Sequence, residues 1–170
     1  MEPSVAPVQA AGAAVKKYIV NDIFKVSDYK KGEFAMVSCF QTLEHIPRPE
    51  GLVKDIHSLL RDGGVAYFVC HDYKAFVNRL LGKKSPIYDI EHLQLFSKRS
   101  IYRLAKKCGF EDIKIFTIKN RYPAQYWLRL FPFPRGMKGW ILKKAENSRW
   151  GKMEVSINVG NIGLIAYKKG

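Results

Sequence analysis

Phe34 to Pro49 reads FAMVSCFQTLEHIPRP. The apolar run Phe34-Ala35-Met36-Val37-Ser38-Cys39 is too short for a helix and follows Gly32, which predicts a buried strand. It ends in the polar turn Gln41-Thr42-Leu43-Glu44-His45, then Pro47 and Pro49. From Glu50 to Leu60 the residues Leu52, Val53, Ile56, Leu59 and Leu60 share one side, the pattern of an amphipathic helix. The turn Arg61-Asp62-Gly63-Gly64, where glycine serves a positive φ, leads to Val65–Cys70, apolar throughout as a central parallel strand should be. Strand, loop, helix, turn, strand is a βαβ unit, and ligands bind beyond the carboxyl ends of its parallel strands. Gln41–His45 lies at one such end and His71-Asp72-Tyr73 at the other.

Composition sets the frame. With 170 residues, 47% hydrophobic and 13% aromatic, the chain suits one domain, 1–170, with a packed core. No apolar stretch is long enough to cross a bilayer, and the start MEPSVAPVQAAGAAV lacks the basic and leucine-rich regions of a signal peptide. Cys39, Cys70 and Cys108 sit in apolar surroundings without C-x-x-C spacing, so they read as buried thiols of a cytoplasmic protein. The net charge of +14 is uneven: Lys98–Lys152 holds 15 Lys/Arg against 3 Asp/Glu, whereas the first 97 residues hold 12 against 11. That basic third would attract an anionic substrate, a phospholipid surface or nucleic acid, or is simply a solvated face.

F-x-x-V-x-x-F-x-x-L-E-H-I-x-x-P, the later D-G-G before a hydrophobic strand, Tyr88-Asp89-Ile90-Glu91-His92-Leu93-Gln94-Leu95-Phe96-Ser97 and Cys108-Gly109-Phe110 occur in this order. Together they resemble the class I S-adenosylmethionine-dependent methyltransferases of the small-molecule type, with Phe34 and Val65 opening that family's fourth and fifth strands. The resemblance implies an α/β, Rossmann-like, mostly parallel sheet whose last two strands are antiparallel, the final one beside the fifth. It also implies an N-terminally truncated chain: a first strand, glycine-rich loop and first helix are expected ahead of Met1. No G-x-G-x-G loop occurs, and Gly63-Gly64 follows a helix rather than a strand. Ala35 stands where the family usually has Asp, a departure with no functional reading.

The same resemblance assigns a site. Glu2, followed by Pro3-Ser4 and an Ala-rich helix capped by Ser4, would accept both ribose hydroxyls of S-adenosylmethionine, since a carboxylate suits a cis-diol. After a strand Tyr18-Ile19-Val20, Asp22 would accept from the adenine amino group and the Ile23 backbone would meet the ring. Phe40 and Gln41 would line the cofactor's methionine and ribose. The alternatives are that Glu2 is a flexible terminal residue and Asn21-Asp22 an ordinary turn pair. Glu44-His45 would shape and cap the turn into the next helix, and His57 would lie on the surface. His92 is the first candidate for a general base, against the alternative that it fixes its loop by hydrogen bonds to Glu91 or backbone; His71 is the second candidate. No metal is implied.

Downstream, Ser97 caps a helix Lys98–Cys108 stopped by Gly109, and strands are expected at Asp112–Lys119 and Gly163–Tyr167. Between them, residues 120–152 form an insertion or cap in which Tyr122, Tyr126, Trp127, Phe131, Trp140 and Trp150 alternate with basic residues. Such a mixture can hold a lipid-like substrate, stack bases, cap an apolar pocket or complete the core. No RNA-binding signature or zinc spacing supports the nucleic-acid option. The expectation is methyl transfer to a small-molecule acceptor, lipid-like or anionic, by a cytoplasmic and membrane-peripheral protein. The alternatives are a non-catalytic basic module that binds a membrane surface or nucleic acid through 120–152, and an incomplete, inactive fragment of a methyltransferase.

Overall fold

In the computed structural model, residues 1–130 and 133–170 are described, except for the side chain of Arg135. In chain order the main elements are α1 (Val5–Ala10), α2 (Ala13–Lys16), β1 (Phe34–Phe40), α3 (Pro49–Leu59), β2 (Leu60–His71), α4 (Phe76–Leu81), α5 (Lys98–Lys107), β3 (Phe110–Pro123), α6 (Ala124–Leu130), α7 (Arg135–Glu146) and β4 (Glu154–Lys168). The strands form one sheet in the order β1-β2-β4-β3. β1 and β2 are parallel, and β4 is antiparallel to both β2 and β3. Three of the four strands therefore share a direction, with the last strand inserted beside the second. This is the α/β, Rossmann-like arrangement expected from the sequence.

The core follows from the period of two in β2. Ala66, Phe68 and Cys70 are buried on one face, while Val65, Tyr67 and Val69 are half-buried on the other. Val53 and Ile56 of α3, Ile101 and Ala105 of α5, and Phe110, Ile162, Leu164 and Ala166 of the neighbouring strands complete that buried layer. α3 starts at Pro49, where the missing N–H costs nothing. Ser97 caps α5 in a reciprocal capping box with Ser100, and Gly109 ends it with φ +94°. The opposite face carries Phe40, Tyr67 and Phe116, with ring centroids 5.3 and 6.1 Å apart. Phe116 can lie against the sheet because Gly163 has no side chain there; a Cβ would come within 2.6 Å of its ring.

Several expectations change. β1 is a strand but not a buried one: among the described residues it pairs with β2 alone, and Met36 and Phe40 are about half exposed. Tyr18–Val20 is not a strand. Tyr18 and Ile19 donate turn bonds to Val15 and Lys16, and the Val20 carbonyl accepts from the Glu2 amide, so no ladder forms. Ser4 occupies the N-cap of α1 without a side-chain cap bond. His57 is not a free surface residue; its ring packs edge-on against Phe110 at 4.9 Å, and burial holds its pKa below the usual value. β3 and β4 are longer than the apolar patterns suggest, because their outer halves pair with each other through Pro123↔Glu154. Phe131 of the expected cap lies outside the described residues.

Glu50 ties α3 to α5. Its carboxylate pairs with Lys107 at 2.6 Å and Lys54 at 2.8 Å, and Lys107 foremost holds its pKa down at about 2. A depressed carboxylate contributes stability above its unfolded value of about 4.3, and that contribution fades as pH falls through the folded value. Urea denaturation at stepped pH should therefore show Glu50→Gln losing less stability than the parent between neutral and strongly acidic conditions. Phe110→Ala, which empties a site touching both His57 and Phe68, should cost about 3–5 kcal/mol in the same measurement at neutral pH.

Candidate functional site

The turn after β1 bends sharply. Gln41 takes φ +45°, its amide donates to the Val69 carbonyl (2.7 Å), and the Thr42 hydroxyl donates to the Phe40 carbonyl. This bend sends Leu43 and Glu44 inward, where both are fully buried. Glu44 does not cap α3, whose N-cap is Arg48. Instead Glu44 Oε1 accepts from the His71 amide at 2.8 Å, so the carboxylate joins the carboxyl ends of β1 and β2. Its Oε2 is buried without a hydrogen-bond partner among the described residues. It faces a small cleft lined by Glu44, His71, Tyr73, Ile87, His92 and Phe96.

Three imidazoles gather here. The His92 ring lies 4.9 Å from His45 and 5.5 Å from His71, centroid to centroid. Each is tethered through Nδ1: His45 to the Glu91 carbonyl at 2.9 Å, His92 to the Ile87 carbonyl at 2.9 Å, and His71 to Asn161 Oδ1 at 2.7 Å. Asn161 is itself oriented, since its amide donates to Asn120 Oδ1 at 2.9 Å. An oxygen of this kind only accepts, so each Nδ1 carries a hydrogen and each neutral ring keeps Nε2 as its basic nitrogen. The loop-fixing and general-base roles of His92 are thus compatible, because they use different nitrogens.

The expected cofactor residues fall into two groups. Glu2 lies beside the Val20–Asp22 segment through its amide bond to the Val20 carbonyl (3.0 Å) and the Asn21 side-chain bond to its own carbonyl (2.8 Å). Its Oε1 accepts from the Ser4 amide. Asp22 accepts from the Ile23 amide at 2.7 Å and from Lys25 at 2.9 Å, and the lysine foremost lowers its pKa. Phe40 and Gln41 form the second group, at the carboxyl end of β1. Among the described residues no hydrogen bond, ion pair or ring contact joins Glu2, Asp22 or Ile23 to that second group.

Comparison with known proteins now bears on this geometry. A family model described as a methyltransferase domain matches residues 1–115. The chain belongs to the methyltransferase-domain family. S-adenosylmethionine is the cofactor of this family. This methyltransferase domain is 27% identical over 109 residues to a ubiquinone biosynthesis O-methyltransferase of Shewanella pealeana, a match covering 59% of this chain and 46% of the relative. It spans less than half the length of the curated relatives it matches. An S-adenosylmethionine-dependent methyltransferase of Thermotoga maritima superposes with a TM-score of 0.55 at 16% identity, covering 92% of this chain and 69% of the other. The YcgJ protein of Bacillus subtilis does so at 0.60 and 11%, covering 99% and 80%. At such identities these two show the shared fold.

Sequence reasoning missed Glu44 as a buried anchor, and Asn161 and Asn120 as the support of His71. A carboxylate between Leu43 and His45 at a strand end was the available signal for the first. Nothing local pointed to the asparagines, which meet only through the β3–β4 register. Cys39 and Cys70 are held protonated by burial, Cys39 with its pKa pushed up to about 11, so neither is a nucleophile at neutral pH. Glu44→Ala should leave the His71 amide without an acceptor and cost about 1–3 kcal/mol. Glu44→Gln, which retains an oxygen there, should recover at least half of that loss in denaturant titrations.

Proposed function

We propose that the chain forms the acceptor-side half of an S-adenosylmethionine-dependent O-methyltransferase site, with His92 as general base for a hydroxyl on a small, lipid-like or anionic acceptor. The observation that carries this reading is the trio of imidazoles over the carboxyl ends of β1 and β2, each anchored by Nδ1 so that Nε2 is left basic. The family membership supplies the reaction class, and the O-methyltransferase names of the Shewanella relatives support a hydroxyl acceptor. The donor set fits the adenosine half of the cofactor: acceptor-only carboxylates at Glu2 and Asp22 suit a ribose diol and an adenine amino group, and one backbone tie holds them together. Asp22 would have to share its oxygens with Lys25 and the Ile23 amide.

Once bound, the cofactor supplies an electrophilic methyl group on sulfur. The residues of this chain then hold and deprotonate the acceptor. Phe40 and Gln41 would line the cofactor's methionine side, the His92 Nε2 would take the hydroxyl proton, and Asn161 holds the His71 ring beside His92. Displacement at a methyl group needs in-line positioning above all, so a general base adds to a rate that orientation already raises.

Calorimetric titration of S-adenosylhomocysteine, with transfer of labelled methyl to a panel of phenolic acceptors, tests both halves. Asp22→Ala should weaken cofactor binding about tenfold, the scale of one lost hydrogen bond to a charged group. His92→Ala should leave that affinity unchanged and slow methyl transfer about 10²–10⁴-fold, less so as pH rises. Failure of the folded chain to bind the cofactor, or a rate indifferent to His92, would overturn the reading.

A further inference from the structure

The segment between β3 and β4 is a small packed unit with a distinctive outer face. Arg129 of α6 pairs with Glu146 of α7 at 2.7 Å, and the Trp127 indole donates to the Val155 carbonyl at 2.9 Å. On α7, Ala145 is buried, with Ile141 and Leu142 half-buried beside it, which fixes the inner side. Met137, Trp140 and Lys144 then share the outer side by helical spacing. Trp140 is 67% exposed and Met137 50%, and at the ends of the unit Leu130 and Met153 are 62% and 65% exposed. The Lys144 ammonium sits over the Trp140 ring at 5.1 Å.

The charges around these apolar groups are unbalanced. Glu146 is taken by Arg129 and Glu154 by Arg121. Lys143, Lys144, Arg149 and Lys152 have no carboxylate partner among the described residues. A soluble surface that needed only charge for solubility would not also expose Trp140, Met137, Leu130 and Met153 within the same unit. Apolar side chains ringed by unpaired cations complement a surface that is apolar beneath and anionic above. No described helix is long and apolar enough to cross a membrane, so the fit is to lying in the interface. Leu130, Met137 and Met153 are flexible aliphatic groups that enter acyl chains and offer no plane for stacking bases, which favours lipid over a nucleic-acid strand.

We propose that α7, with Leu130 and Met153 at its flanks, docks this chain onto an anionic phospholipid surface. Trp140 enters at headgroup depth, and the unpaired lysines and arginine face the lipid phosphates. The docking does not depend on cofactor binding or methyl transfer, so it stands or falls separately from the site at β1 and β2.

The test is co-sedimentation of the full 170-residue chain with vesicles of phosphatidylcholine alone or mixed with phosphatidylglycerol at physiological salt, read together with tryptophan emission. Binding is expected only to the anionic vesicles, with a blue shift that Trp140→Phe largely abolishes. Each cation near such a surface contributes about fivefold in affinity, so Lys143→Glu/Lys144→Glu should weaken binding at least tenfold. Lys30→Glu/Lys31→Glu removes the same charge ahead of β1 and should change it less than threefold; circular dichroism checks that each variant is folded. Equal loss from both charge reversals would show that net charge alone drives binding and would overturn the proposal. So would equal binding to neutral vesicles, no binding to either, or tighter Trp140-dependent binding to a single-stranded oligonucleotide.

Discussion

The pairing of β2 with β4 is the constraint on which the rest depends. Its register runs from Val65↔Tyr167 to His71↔Asn161 without a slip. A shift of one residue would turn Leu164 and Ala166 out of the buried layer and Ile165 into it. The same register sets Asn161 beside His71, and the β3–β4 ladder brings Asn120 within reach of Asn161. Core packing and site geometry are thus two readings of a single ladder.

Glu44 provides the complementary tie on the other side of β2. A buried carboxylate with one unpartnered oxygen opposes folding unless something else holds it, and here the bend at Gln41 and the bond to the His71 amide do so. The Gln94 amide also donates to the Glu44 carbonyl, so the loop bearing His92 is hung from the same residue that joins the two strands. A larger hollow lined by Asp112, Ile113, Lys114 and Tyr167 lies at the far end of the sheet, where Tyr167 pairs with the start of β2; it has no histidine or buried acid to act on a substrate.

The central βαβ unit was legible because its signals are local: a run of apolar residues, then an amphipathic period from Glu50, then a second apolar run; the expected turn at 61–64 is instead part of β2. The place of the last strand came from the family resemblance and is observed. Burial was less legible. The apolar run at Phe34 suggested a buried strand, but burial depends on neighbours, and among the described residues β1 has one. Tyr18–Val20 has the composition of a strand yet no ladder to join. In the site, the histidines could be named from sequence, but the nitrogen each leaves free could not. That depends on the carbonyls of Ile87 and Glu91 and on the Asn161 side chain, which reach the rings only after folding.

The strand that comes last in the sequence lies inside the sheet, between β2 and β3. A ribosome must therefore release β2 and β3 before the strand that joins them exists, and β2 must wait for that partner about a hundred residues later. Until β4 arrives, the inner edges of β2 and β3 are unpaired templates for other chains. Non-local closure of this kind is slow compared with hairpin formation. The topology that assembles the histidine cluster thus also leaves strand edges open during synthesis, and yield on expression at high rate should reflect that exposure rather than the stability of the finished fold.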